Sequence, residues 1–488
     1  MPYSSLAEFL EELSTRGELA RLGVEVNTAL EIAEITRRVA SAGGPALLFD
    51  RPAGQSTAVV TNLLGTESRA CRALGVESLD ELSERIESLI DRNTPHNWFE
   101  RLKMTGDETG ANKFRPKSVK SGPSQQVVRL GRDVDLAGLP MTKQWPAESA
   151  ASITAGLLVT PERGTETRGL TTCPLMALDE NRLAIIDDGH SSFARHWTMF
   201  RAAGEKMPVA VVLGGDPAGI VAGSIVAPPG ADAYHLIGLL RGKPLDLVKC
   251  RTHAFEAPAD ADFIIEGYLD PEVPSATVQS AGSGGLHYRT VESAPVLHVT
   301  AITHRSHPIW PATIDSGAVG ELALLAKVRE RLLLPSIRAI APDVVDLHMP
   351  ALGGLDRYAF VSFRKSFPHH ARQVAAALWG SASLQFTKFL ILLNAGVDVH
   401  DVRRVLAEMG ANVAPERDIF THDAAAHASD HANTLGALAR HVAIDATTKI
   451  AGERSENAPP PLATGEDIAR LVTERWSQYN VDLARPPR

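Results

Sequence analysis

The chain has 488 residues, 44% of them hydrophobic and 22% charged, with a formal net charge of -9 at pH 7. That length and balance predict a globular protein of several domains with ample core. The acidic excess argues against nucleic acid as a main partner, which would need a basic face, and no apolar run reaches the roughly 18 residues of a membrane helix.

The start, MPYSSLAEFLEEL, is acidic and amphipathic, without the basic segment and apolar stretch of a secretory signal. Cys71, Cys173 and Cys250 form no CxxC pair. Both features predict a cytoplasmic protein with buried, inert thiols. Leu6, Phe9, Leu10 and Leu13 recur at helical spacing, so the first ~25 residues read as a helix that Gly17 can end. NTALEIAEITRRVAS is a second helix, capped by Asn27 or Thr28 and closed by Gly43 and Gly44. PALLFD and STAVVTNLLG read as strands, and GVESLDELSERIESLIDR as a further amphipathic helix. Residues 1–115 therefore predict an N-terminal α/β domain.

Residues 116–315 change character. QQVVRL, SITAGLLVTPE, CPLMALDENRLAIID, PVAVVLGG, DLVKC, DFIIEGYL and VLHVTAITHR are short β-type runs with turn residues between them. They predict a β-rich barrel or sandwich with an inserted helix, SSFARHWTMFRAAGE. VQSAGSGGLHY, between two of these runs, reads as a loop from its glycine and serine density. Over residues 316–455 the α/β alternation returns. VGELALLAKVRERLL, HHARQVAAALWG and DVRRVLAEMG are helical, while VVDLHMP, YAFVSFRK and TKFLILLNAGVD are strands. Residues 456–488 hold a proline run at 459–461 and then a helix, TGEDIARLVTERWSQYN. Thr464 is its expected N-cap, with Glu466 and Asp467 at its positive end. A helix tethered by a linker predicts docking on a neighbouring subunit.

LAEFLEELSTRGELARLGVEVNTALEIAEITRRV, GPALLFDRPAG, TNLLGT, GDPAG, LLRGKPLDLVKC, IIEGYLDPE, VTAITHRSHPIW, TKFLIL and AIDATTK occur in this order. Together they resemble the UbiD family, the 3-octaprenyl-4-hydroxybenzoate carboxy-lyase-like decarboxylases. The resemblance implies a central split β-barrel that holds prenylated FMN between two α/β domains. It also implies homodimers or higher homo-oligomers in which the C-terminal helix reaches across. A divalent metal, usually manganese, would hold the cofactor phosphate through an Asn, a His and a Glu. One Arg and two Glu would form the acid–base set.

The chain departs from that pattern at nearly every one of these positions. NRLAIIDDGH places His190 at the ligand histidine, but the ligand Asn falls on Gly169 and the catalytic Arg on Pro174. The metal Glu falls on Ala233, and its neighbour Asp232 faces the other side if the segment is a strand. VQSAGSGGLHY stands in place of EGPxG-E/D-xxGY, so the two glutamates become Val278 and Ser283. WPAES replaces WPxDGG. No Glu or Asp occurs between Glu272 and Glu292, and no Arg or Lys between Arg168 and Arg182. A divalent metal on a phosphate needs hard oxygen donors, usually from two or more side chains. The usual metal-bound prenylated FMN is therefore not expected.

Three readings follow. The first is a decarboxylase, a carbon–carbon lyase, acting without that cofactor site on an aromatic, heteroaromatic or unsaturated carboxylic acid. A hydroxybenzoate, a pyrrole carboxylate or a β-keto acid carries its own electron sink and needs a proton donor and an apolar site. His287 is the favoured donor, with Tyr288, Glu148 and His190 as further candidates. The second is a non-catalytic paralogue that binds a small acid or serves an active UbiD-like partner subunit. The third is a prenylated-FMN enzyme holding its cofactor by protein contacts, through Lys388 and His190. THDAAAHASDH spaces His427 and His431 four apart, as in helical zinc pairs, but lacks an HExxH glutamate. It reads, with His422, Asp423 and Asp430, as a solvated loop. Arg305 reads as a structural ion pair, and LGGDPAG lacks the GxGxxG of a dinucleotide site.

Overall fold

The computed structural model of the protein describes residues 3–87, 111–225, 232–281, 286–433, 436–454, 465–479 and 481. The first helix, Leu6–Thr15, is capped by the Ser5 side chain, which accepts from the Glu8 amide, and it buries Leu6, Phe9, Leu10 and Leu13. The helical reading of the first ~25 residues stops there, because Gly17 takes a left-handed φ of 72°. Leu19–Val26 is instead a strand, parallel to Ala46–Pro52. Val59–Thr61 and, from far along the chain, Trp310–Pro311 complete this four-stranded sheet. The helix Glu31–Ser41 starts later than the Asn27 or Thr28 cap predicts; Asn27 Oδ1 accepts from the Ala29 amide instead.

The central sheet has nine strands among the described residues. It curls into a half-barrel whose middle strands, Phe263–Leu269 and Met207–Leu213, are buried along nearly their whole length. Val296–His304, Arg182–Ile185 and Leu175–Ala177 extend it on one side, and Leu157–Pro161 and Arg168–Thr172 on the other. Leu158, Leu183, Val211, Phe263, Ile265, Leu297 and Trp310 fill its interior. Two short helices, Ala218–Gly223 and Ala233–Arg241, lie in segments whose helical pattern the glycines obscure. Asp232 is the N-cap of the second, accepting from the Tyr234 amide at 2.9 Å, and not a strand residue.

VQSAGSGGLHY is not a plain loop. Ala276–Ala281 and Tyr288–Ala294 pair antiparallel as a hairpin, and Val278 and Ala294 pack on Met176, Ala184 and Ile186 of the barrel. Ser283 lies outside the described residues.

The helix Glu321–Ile340 then runs between the units. Its Lys327 pairs with Glu67 at 2.6 Å and its Arg338 with Glu87 at 3.1 Å. The C-terminal sheet follows, in the order Val344–His348, Tyr358–Phe363, Phe389–Asn394, Leu438–Asp445 and Ile419–Ala425. Its central pairs are parallel and its edge pairs antiparallel. The helix His370–Trp379 covers one face, and Val402–Asn412 the other. The terminal helix is Glu466–Glu474 with Gly465 as N-cap; the expected cap, Thr464, lies outside the described residues.

Candidate functional site

A seam between barrel and C-terminal unit gathers most of the residues with chemistry. On the barrel side, the strand Arg182–Ile185 runs into a tight turn. The Asp187 carboxylate accepts from the Gly189 amide at 2.8 Å, and Gly189 has a φ of 84°. Ser191 then caps the next helix. This turn brings Asp188 and His190 to the rim. Asp188 pairs with Arg289 of the hairpin at 2.8 Å. Burial pushes the Asp187 carboxyl above its usual range.

On the opposite side, residues 426–433 form a turn and not the helix that the His427–His431 spacing allowed. The Ser429 amide donates to His427 Nδ1 at 3.2 Å, which leaves the His427 proton on Nε2, 3.8 Å from Asp188. Burial lowers the His427 pKa. Arg357 holds Ser429 through its carbonyl at 2.7 Å. Phe386 packs against both His190 and His427, with ring centroids 4.4 and 5.3 Å away. Across the seam the rings of His287 and His431 stack at 3.5 Å.

His287 thus meets His431, from the segment that reads as a solvated loop. Tyr288 is 42% exposed, and its hydroxyl accepts from the Ala147 amide at 3.3 Å. Glu148, next along that turn, is committed to backbone: its Oε2 accepts from the Gln144 and Trp145 amides at 2.8 and 3.0 Å. His190 is exposed beside Phe386. Lys388 pairs with Asp430 at 3.1 Å. Burial raises the Asp430 pKa, and the Lys388 bond outweighs this to hold it below its usual value. His422 and Asp423 stand elsewhere, in the edge strand, where Asp423 pairs with Arg440. Arg305 donates to the carbonyls of Asp260 and Ser4 and not to a carboxylate, so it ties the N-terminal segment to the barrel. Asp188, Arg289 and Phe386 escape sequence reasoning, and His427 and His431, singled out there by their spacing, read as a solvated loop, because their contacts run across more than one unit.

The residues around His190 do not fit a divalent metal on a cofactor phosphate. A Cβ at Gly169 would lie 2.6 Å from His196 Cε1 and 2.8 Å from Ser192 Oγ, so no ligand side chain has room there. Ala233 offers no donor atom. Both oxygens of Asp232 are engaged, one by the Tyr234 amide and one by Arg168 at 3.0 Å.

Sequence models of 3-octaprenyl-4-hydroxybenzoate carboxy-lyase match the chain in three consecutive pieces. The N-terminal domain matches residues 10–89, the Rift-related domain 117–318 and the C-terminal domain 323–446. An uncharacterized protein of Aquifex aeolicus (strain VF5) is 34% identical over 485 residues, 98% of this chain and 99% of that protein. The fold matches the closed form of vanillic acid decarboxylase from Sedimentibacter hydroxybenzoicus with a TM-score of 0.82, at 22% identity over 98% of this chain and 99% of that one. It also matches an evolved dimeric form of the UbiD-class enzyme HmfF from Pelotomaculum thermopropionicum, in complex with prFMN. The TM-score there is 0.77, at 24% identity over 97% of this chain and 100% of that one.

Proposed function

The chain belongs to the UbiD family, and from that membership we propose that it is a decarboxylase of aromatic, heteroaromatic or unsaturated carboxylic acids that does not rely on metal-bound prenylated FMN. The observation that carries the reading is the pairing of two changes. The position of a metal ligand is closed at Gly169, while two imidazoles, His287 and His431, meet at 3.5 Å across the seam.

In this reading the substrate supplies its own electron sink. The bond to the carboxylate breaks, CO2 leaves, and the electron pair enters a carbonyl or iminium of the substrate. His287 then donates a proton to the carbon, which general acid catalysis rewards with roughly 100- to 10,000-fold in rate. Two imidazolium charges at the stacking distance oppose each other. Burial and then the neighbouring His287 both lower the His431 pKa. Phe386 offers an aromatic face for a planar acid. One observation favours the non-catalytic alternative: Glu148 and Tyr288 are both tied to the same backbone turn.

Co-expression with a flavin prenyltransferase, followed by absorbance spectra and manganese analysis, tests the cofactor part. Stoichiometric flavin and manganese would sink it. CO2 release from hydroxybenzoate, pyrrole and indole carboxylates tests the rest. His287→Ala should lower the rate about 100-fold or more; an unchanged rate removes His287 as donor. Silence on every acid would leave the non-catalytic reading.

A further inference from the structure

A second cluster lies in the C-terminal unit, built from residues other than those of the seam. Glu330, in the helix Glu321–Ile340, has a fully buried side chain. His348 ends the strand Val344–His348, and His400 follows the strand Phe389–Asn394. One donor atom from each of these three residues lies within 4.8 Å of the other two. His348 Nδ1 is 3.1 Å from Glu330 Oε2, and His400 Nδ1 is 4.0 Å from Glu330 Oε1. The His348 and His400 rings lie 4.6 Å apart.

The surroundings orient the donors. His400 Nε2 faces Asp346 at 3.1 Å, and Asp346 is in turn held by Arg331 at 2.8 Å. A neutral imidazole has one N–H, so if Nε2–H donates to Asp346, His400 Nδ1 is left as a lone pair aimed at Glu330 and His348. A carboxylate on the far nitrogen is how metal-binding histidines are commonly fixed. The Met349 amide donates to Glu330 Oε2 at 2.7 Å, and Oε1 faces both imidazoles, His348 Nδ1 at 3.4 Å and His400 Nδ1 at 4.0 Å. Arg331 also stands 3.6 Å from Glu330 Oε1, an ion pair that a cation bound there would have to displace. The His348 and His400 side chains are 17% and 34% exposed, which opens a path of entry.

We propose that Glu330, His348 and His400 bind one first-row divalent cation, best matched by zinc, with Asp346 orienting His400. Two imidazoles and one carboxylate make up a known zinc donor set that leaves positions open for water. A competing cluster, Cys250, His253 and Glu266, also has its donor atoms within 4.8 Å. There Glu266 already accepts from the Arg251 and Thr252 amides and the Thr252 hydroxyl, and Cys250 is 5% exposed.

The test uses the tag-free, full-length protein, stripped with chelator and titrated with Zn2+, then desalted for elemental analysis. One Zn2+ per chain is expected, with a zinc-dependent rise in Tm. His348→Ala and His400→Ala should abolish both. Asp346→Asn should weaken binding roughly 10- to 100-fold, and His190→Ala and Cys250→Ser should leave it unchanged. Failure of the stripped protein to retain zinc overturns the proposal. So does zinc that survives both histidine variants, or that is lost in Cys250→Ser. Both histidines sit on the partly exposed rim, so these variants keep the proposal testable if Glu330→Gln does not fold.

Discussion

Gly169 is the residue on which the proposed departure from metal-bound prenylated FMN most depends. The resemblance to known decarboxylases implies that a ligand side chain is missing there, and the structure adds that a side chain would have no room. Closure comes from the helix Ser192–Ala203, whose Ser192 and His196 press against the Gly169 backbone. His196 is wedged there by a 2.8 Å bond to Thr160 Oγ1. Gly169→Ala should therefore destabilise the protein by about 1–3 kcal/mol, the range for overpacking a filled core. Gly169→Asn should do so at least as strongly, without bringing manganese binding. Urea denaturation reads the first, and a tolerated Asn that binds manganese would show that the site is only a mutation away from the family's usual one. His190 was legible from its motif. His427 was legible as a spaced histidine, but its approach to Asp188, 239 positions earlier in the chain and 3.8 Å away across the seam, was not.

At the scale of elements, apolar runs such as FIIEGYL and AVVL were legible because burial on both faces leaves a continuous hydrophobic signature. The hairpin Ala276–Ala281/Tyr288–Ala294 was not. Its small residues carry little pattern, yet Val278 and Ser280 alternate inward as a strand requires. The helix Glu321–Ile340 shows a further device that periodicity cannot reveal. Its N-cap, Gly320, offers no side chain, and Glu321 turns into the N-terminal unit to accept from the Leu64 amide at 3.0 Å. Full burial raises the Glu321 pKa from 4.5 to about 7. A carboxyl raised on folding contributes stability that is complete below its unfolded pKa and is lost as pH rises through about 7. Glu321→Gln keeps an acceptor for Leu64 without the charge. Its Tm should gain on wild type between pH 5 and pH 8; a Tm difference that stays constant across that window would remove the linkage.

Across the whole molecule, the order of the three units was legible because each has its own period, helical and strand alternation on either side of a β-rich centre. How the units lock together was not, since Trp310–Pro311 joins the first sheet from beyond the barrel and one helix spans two units. The terminal helix points to a larger assembly. Ile468, Leu471, Trp476, Tyr479 and Val481 are each between 41% and 50% exposed. A run of large apolar side chains left in water is costly and marks a contact surface. Charged residues on the helix, Asp467, Arg470 and Glu474, keep its other face wet. A second copy of the chain is the occupant we expect, since a matching patch on a twin would be covered symmetrically. Truncation at residue 458 removes the helix while leaving the three folded units intact. In size-exclusion with light scattering, the full chain should then elute as a dimer or larger and the truncated chain as a smaller species. Identical masses for both would show that the helix holds no subunits together, and the exposed stripe would need another partner.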